Sequence, residues 1–178
     1  ALEIQEEIES LGTGIEKWAG IDETGFGMTV LTSLTSDAVP ILSDAILNPI
    51  FPPDEIEQER RTTLAGIASR RDDMYSYPIQ LALSAAHSGH PYELPRLGSK
   101  VAVESLTQEQ LTDHHRRHIG NAMPIVAVVG DVDPEQICEL LERYLGKHSV
   151  KEIKHPDIAP AEAETTPNVE ARKKAQTA

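Results

Sequence analysis

The sequence predicts an α+β domain, and three observations carry that prediction. Apolar residues recur at helical spacing in several segments; one pair of short segments near the N-terminus alternates with period two instead; and the connections carry capping and turn residues at the offsets that helix and hairpin ends require. A chain of 178 residues with 39% hydrophobic content can supply one core of ordinary domain size. No internal repeat is visible.

Ile4, Ile8 and Leu11 form one face of a first helix, and Gly12 stands where a left-handed C-terminal cap is needed. Thr13 to Ala19 is strand-like, Gly20 to Glu23 reads as a turn, and Phe26, Met28, Val30 and Leu34 alternate with smaller or polar residues, which predicts an antiparallel hairpin. Trp18 is read as a packing residue on that sheet. A second helix, with Leu42, Ala45 and Ile46 on one face, is expected to take Ser36 or Asp37 as its cap and to tolerate Pro40 in its first turn; it stops at Asn48-Pro49.

The next stretch, NPIFPPDEIEQERRTTLAGIASRRDD, is the element around which the rest is organised. Pro53 suits the first helical position because it lacks an N–H and has a fixed φ, and Asp54, Glu55 and Glu57 set negative charge at the positive end of the helix dipole. Ile56, Leu64, Ile67 and Ala68 share a face, while Arg60, Arg61, Arg70 and Arg71 come later. A third amphipathic segment runs from Tyr77 to His87, followed by a Gly- and Pro-containing loop, Ser88 to Lys100. Thr107 with Gln110 predicts a capping box, opening a helix that carries DHHRRH and ends near Gly120. Pro124 to Val129 reads as a short buried strand. Asp133, Pro134 and Gln136 then predict a second box before Ile137, Leu140, Leu141, Tyr144 and Leu145, with Gly146 as the stop.

On this reading residues 1–147 form the α+β domain, 148–168 are a linker rich in Pro, Ala, Glu and Thr, and 169–178 begin a following subdomain. The sequence opens inside a helical pattern, so further sequence is expected upstream, and any targeting signal would lie there. There is no run of eighteen apolar residues; the compartment stays open, with a soluble protein of the cytoplasm or periplasm expected.

Sixteen basic against 29 acidic residues give a formal net charge of −13, which repels phosphate backbones and anionic membrane surfaces. Neither nucleic acid nor membrane is expected as a partner. Cys138 is the sole cysteine, which excludes an internal disulfide and a cysteine-based zinc site; on an apolar helical face it is read as core.

His114 and His118 are four residues apart, as metal-binding histidines on a helix are, but His115, Arg116 and Arg117 stand between them where a zinc peptidase carries a carboxylate. Two cations there oppose a dication, and the pair is read as part of a solvated basic face. His90-Pro91-Tyr92 with Gly98 is read as a turn in which His90 bonds locally, and His87 has no stronger claim. No nucleophile elbow, phosphate-binding glycine loop or paired carboxylates in a defined frame appear.

Taken in order, EEIESLG, the hairpin ending at Leu34, LNPIFPPDEIEQER, HPYELPRLGS, SLTQEQL and VVGDVDPEQICELLERYLG resemble the insulinase/pitrilysin family of zinc metallopeptidases over roughly Ala1 to Gly146. The resemblance implies a half built on a largely antiparallel sheet with helices packed mainly on one face, and EARKKAQTA looks like the passage into the family's next subdomain. It places the zinc-binding H-x-x-E-H motif of a catalytic half upstream of this chain. The third zinc ligand of such a half is a Glu seven residues after another Glu; Glu59 matches the earlier one and Gly66 falls at the ligand position. Glycine has no side chain to coordinate with, so no catalytic, metal or substrate-binding residue is assigned here.

The resemblance thus implies a non-catalytic half that helps enclose a peptide substrate, with zinc held by a catalytic partner half on the same or another chain. A catalytically inactive assembly subunit of the same family is the alternative, and a generic α+β binding domain is a third reading. Family strands expected before Ala1 are missing, which predicts an exposed sheet edge or pairing with another copy in a homo-oligomer.

Overall fold

The computed structural model describes residues 2–122, 124–146, 158, 160 and 161. Its elements are α1 (Leu2–Ser10), β1 (Glu16–Ala19), β2 (Thr24–Gly27), α2 (Thr35–Leu47), α3 (Pro53–Asp72), α4 (Ser76–Ala86), α5 (Lys100–Ser105), α6 (Gln108–His118) and α7 (Pro134–Leu145), with 3-10 turns at Thr32–Leu34 and Pro91–Glu93. They form two compact units, one on the residues up to Gln58 and from Leu106, the other on Glu59–Ser105; the division falls inside α3. The fold is α+β: mostly helical, with one antiparallel two-stranded sheet among the described residues. The linker expected over 148–168 and the subdomain over 169–178 lie outside the described residues, apart from Ile158, Pro160 and Ala161.

In the first unit α1 ends as its sequence requires. Gly12 takes φ +70° and its N–H donates to the Glu9 carbonyl at 2.9 Å, a conformation costly to any residue with a Cβ. The hairpin pairs Lys17 with Phe26 and Trp18 with Gly25, and the Gly20 N–H closes the turn on the Glu23 carbonyl at 2.7 Å. Trp18, half exposed, lies flat across its cross-strand glycine: a Cβ on Gly25 would fall 2.0 Å from the indole. That contact is the packing role expected of Trp18.

The start of α2 differs from expectation. Neither Ser36 nor Asp37 caps it; the helix continues out of the 3-10 turn, and the Thr35 hydroxyl donates to the Thr32 carbonyl at 2.9 Å. The preceding turn already supplies carbonyls to the first N–H groups, so a side-chain cap is redundant. The earlier start leaves Pro40 in the second turn rather than the first, at the loss of one ladder hydrogen bond. Both α1 and α7 pack on α2, and the residues buried among those described are Ile8, Ala38, Ser43 and Ile137.

The capping box of α6 is complete, with the Gln110 N–H on the Thr107 hydroxyl at 3.3 Å and the Thr107 N–H on the Gln110 side chain at 2.9 Å. Thr107→Ala is expected to destabilise the chain by about 1 kcal/mol, read as a lower urea midpoint at unchanged slope. At α7 the Asp133 carboxylate accepts from the N–H groups of Glu135 and Gln136 at 2.9 and 3.0 Å, but the Gln136 side chain makes no return bond, so this is a one-sided cap and not the predicted box. Cys138 is exposed, not core: Ile137 takes the buried position at that level of the helix.

The strand predicted over Pro124–Val129 does not form. The segment is irregular and solvated, with Ile125 97% and Val129 98% exposed. A strand needs a neighbour, and among the described residues β1 and β2 pair with each other alone. The run keeps its β-branched composition but pairs with no strand among the described residues.

Helix α3, whose residues from Glu59 on belong to the second unit, begins at Pro53 with Asp54 and Glu55 in its first turn and has Arg70 and Arg71 in its last, as its charges predict. Ile56, Leu64 and Ile67 are half-buried, whereas Ala68 is exposed. The guanidinium of Arg60 donates to the Val103 carbonyl at the end of α5. That short helix, unanticipated in the sequence, starts where the Ser99 hydroxyl accepts from the Ala102 N–H at 3.2 Å. Helix α4 half-buries Tyr77, Leu81 and Ala85, while Ile79 and Leu83 on its other side are 60% and 48% exposed.

Candidate functional site

Position 66 on α3 is where the resemblance places a metal ligand. Glu59, seven residues before it, is exposed, and the two positions lie roughly 10 Å apart along the helix. A Cβ built on Gly66 would meet Leu97 Cδ1 at 3.5 Å, an apolar neighbour at ordinary contact distance. A catalytic zinc needs three protein donors and an open position. Among the described residues no group of three or more His, Cys, Asp or Glu side chains is placed to hold a metal. The described residues around Gly66 therefore do not fit the family's zinc.

His87, His90 and Tyr92 come together at the end of α4. The Tyr92 N–H donates to His90 Nδ1 at 3.1 Å, and the two rings meet edge to face with centroids 4.7 Å apart. His87 Nδ1–H donates to the Leu83 carbonyl at 3.0 Å, and Glu93 accepts from the Gly89 N–H at 2.8 Å. The bonds of His90 and Glu93 close the turn, which is the local role the sequence assigns to His90.

A third histidine has a role that sequence reasoning missed. His115 Nε2–H donates to the Ile46 carbonyl at 2.7 Å and its ring meets Phe51 edge to face, centroids 5.9 Å apart. Gln108, about two turns earlier on α6, donates through Nε2 to the Phe51 carbonyl at 3.0 Å. Together they fasten α6 to the turn between α2 and α3, where Phe51 holds φ +44°, a conformation costing a bulky residue about 1–2 kcal/mol. The signal was present: His115 lies four residues after Leu111, on the inward face of the helix.

His114 and His118, by contrast, are exposed, with ring centroids 4.6 Å apart. Partial burial, and then the neighbouring His118 and His115 rings, hold the His114 imidazole below the usual histidine range. Arg116 and Arg117 both pair with the Asp113 carboxylate.

A family profile for the Peptidase M16 inactive domain matches residues 105–178. The chain is 28% identical over 151 residues to an uncharacterized zinc protease of Mycobacterium leprae, covering 85% of this chain and 34% of that protein. It is 24% identical over 157 residues to subunit 1 of the mitochondrial cytochrome b-c1 complex of Mus musculus, covering 88% of this chain and 32% of the subunit. Among solved structures, the peptidase M16 inactive domain from Pseudomonas fluorescens shares the fold with a TM-score of 0.81 at 20% identity, over 90% of this chain and 39% of that one. The chain spans about a third of the length of the curated relatives it matches. No helix among the described residues is long and apolar enough to cross a membrane.

Proposed function

We infer a role from kinship: this chain belongs with the non-catalytic halves of the insulinase/pitrilysin (M16) family of zinc metallopeptidases. On that premise we propose that it helps enclose a peptide substrate while a catalytic half, on the same or another polypeptide, holds zinc and performs the hydrolysis. The observation that carries this reading is Gly66, a residue without a donor at the ligand position of α3, facing an apolar neighbour. A wall contributes without chemistry of its own: a peptide confined between two halves has already lost part of the freedom it must give up before attack, which lowers the entropic part of the barrier. The solvated apolar run Ile125–Val129 and the exposed face of α4 support a chain that works as part of a larger body, since apolar surface of this kind marks interaction sites.

The test is cleavage of an unstructured peptide. The chain alone with zinc is expected to hydrolyse none, and adding the H-x-x-E-H-bearing half should raise that half's kcat/KM by roughly tenfold or more, a fraction of what restricted geometry can supply. Cleavage by the chain alone would overturn the proposal. A second reading, an inactive assembly subunit, is favoured by the likeness to the b-c1 subunit; it predicts a stable complex with a partner protein and no change in peptidase rate.

A further inference from the structure

The geometry points to a metal chelate outside the family's zinc position: His114 and His118, on the last two turns of α6, form a two-imidazole site for a borderline divalent transition-metal ion, Cu²⁺, Ni²⁺ or Zn²⁺. Their rings face each other with centroids 4.6 Å apart and 36° between planes, close enough for one nitrogen of each to reach a common ion at about 2.0–2.1 Å with small rotations of the side chains. Both side chains are exposed, and among the described residues neither ring makes a hydrogen bond, so no existing bond must break. His115, which lies between them, is committed to the Ile46 carbonyl and stays out of the site.

The arginines that argue against a cation in the sequence are engaged elsewhere. Asp113, three residues before Arg116 and four before Arg117, pairs with both guanidinium groups and offsets one of their two charges. His118 is also the last residue of α6, where the negative end of the helix dipole favours a cation. Imidazole pairs suit copper, nickel and zinc, with Cu²⁺ held most tightly. Two protein donors leave the remaining coordination positions to water or to a donor from a partner, so this is a binding site and not a hydrolytic centre.

The experiment titrates the full 178-residue chain with Cu²⁺ alone, followed by electron paramagnetic resonance for nitrogen coordination, beside His114→Gln, His118→Gln and a His87→Gln/His90→Gln control. The unaltered chain and the control should bind one equivalent. Either single variant should bind about a hundredfold more weakly, because the second donor's gain from linkage is lost. Far-UV circular dichroism checks that the variants stay helical. Equal affinity in the unaltered chain and the single variants, or loss of binding in the control instead, would overturn the assignment.

Discussion

Ile137→Ala lowers the unfolding free energy by about 2–5 kcal/mol, the range for truncating a buried aliphatic side chain, because both the transfer of the lost methyl groups and the cavity they leave behind count against the folded state. Ile137 is 9% exposed, sits one turn into α7, and its N–H donates to the Asp133 carbonyl at 3.0 Å, so the backbone that presents it is fixed by the cap. Few of the described side chains in the first unit are covered to this degree, and a domain's whole stability is only about 5–15 kcal/mol, so this one truncation removes a large share. Ile137→Val should cost about 0.5–1.5 kcal/mol on the same scale. Urea unfolding followed by circular dichroism reads both; a change below about 1 kcal/mol for Ile137→Ala would mean that the α2–α7 contact collapses around the gap and is not the tight seam its burial implies.

The elements that were legible in the sequence are those fixed by local chemistry. Pro53 with Asp54 and Glu55 opens α3, Thr107 and Gln110 open α6, and Gly12 closes α1, since each satisfies backbone groups within a turn of itself and needs no distant partner. Where the decisive partner lies elsewhere, local chemistry misleads. Pro124–Val129 has the composition of a buried strand, but pairing is a property of two segments, and the second is not among the described residues. The start of α2 departs from expectation for a related reason: a 3-10 turn from Thr32 to Leu34 leads directly into the helix, so neither Ser36 nor Asp37 caps it. Cys138 reads as core beside Ile137 because two neighbours on a helix differ by about 100° in direction, and one step of error exchanges a buried position for an exposed one.

The candidate site was legible in a different way. That position 66 should carry a ligand comes from the resemblance, and that it cannot carry one follows from glycine itself; the structure adds that its surroundings are apolar. The three histidines of α6 differ only by direction around the helix. His115 points inward to a backbone carbonyl while His114 and His118 share the solvated side, and the fate of Arg116 and Arg117 depends on Asp113, which the sequence places within reach but does not commit.

Helix α2 offers the second large effect, as a contrast in sign. Ala38 is 3% exposed, and Leu has nearly the helix propensity of Ala, so Ala38→Leu changes packing and little else; it is expected to destabilise by about 1–3 kcal/mol as the added atoms force neighbouring side chains off their rotamers. Ser43, 4% exposed on the same helix, carries a hydroxyl with no hydrogen-bond partner among the described residues. A buried polar group left unpaired costs about 1–3 kcal/mol, so Ser43→Ala should raise stability by about 1 kcal/mol despite removing an atom from the core, helped by the better propensity of Ala. Opposite shifts in the thermal midpoint of the two variants would establish that α2 is packed to its limit and that its one polar core residue is a burden on folding. Two shifts of the same sign would place at least one of these side chains in a looser environment than its exposure implies.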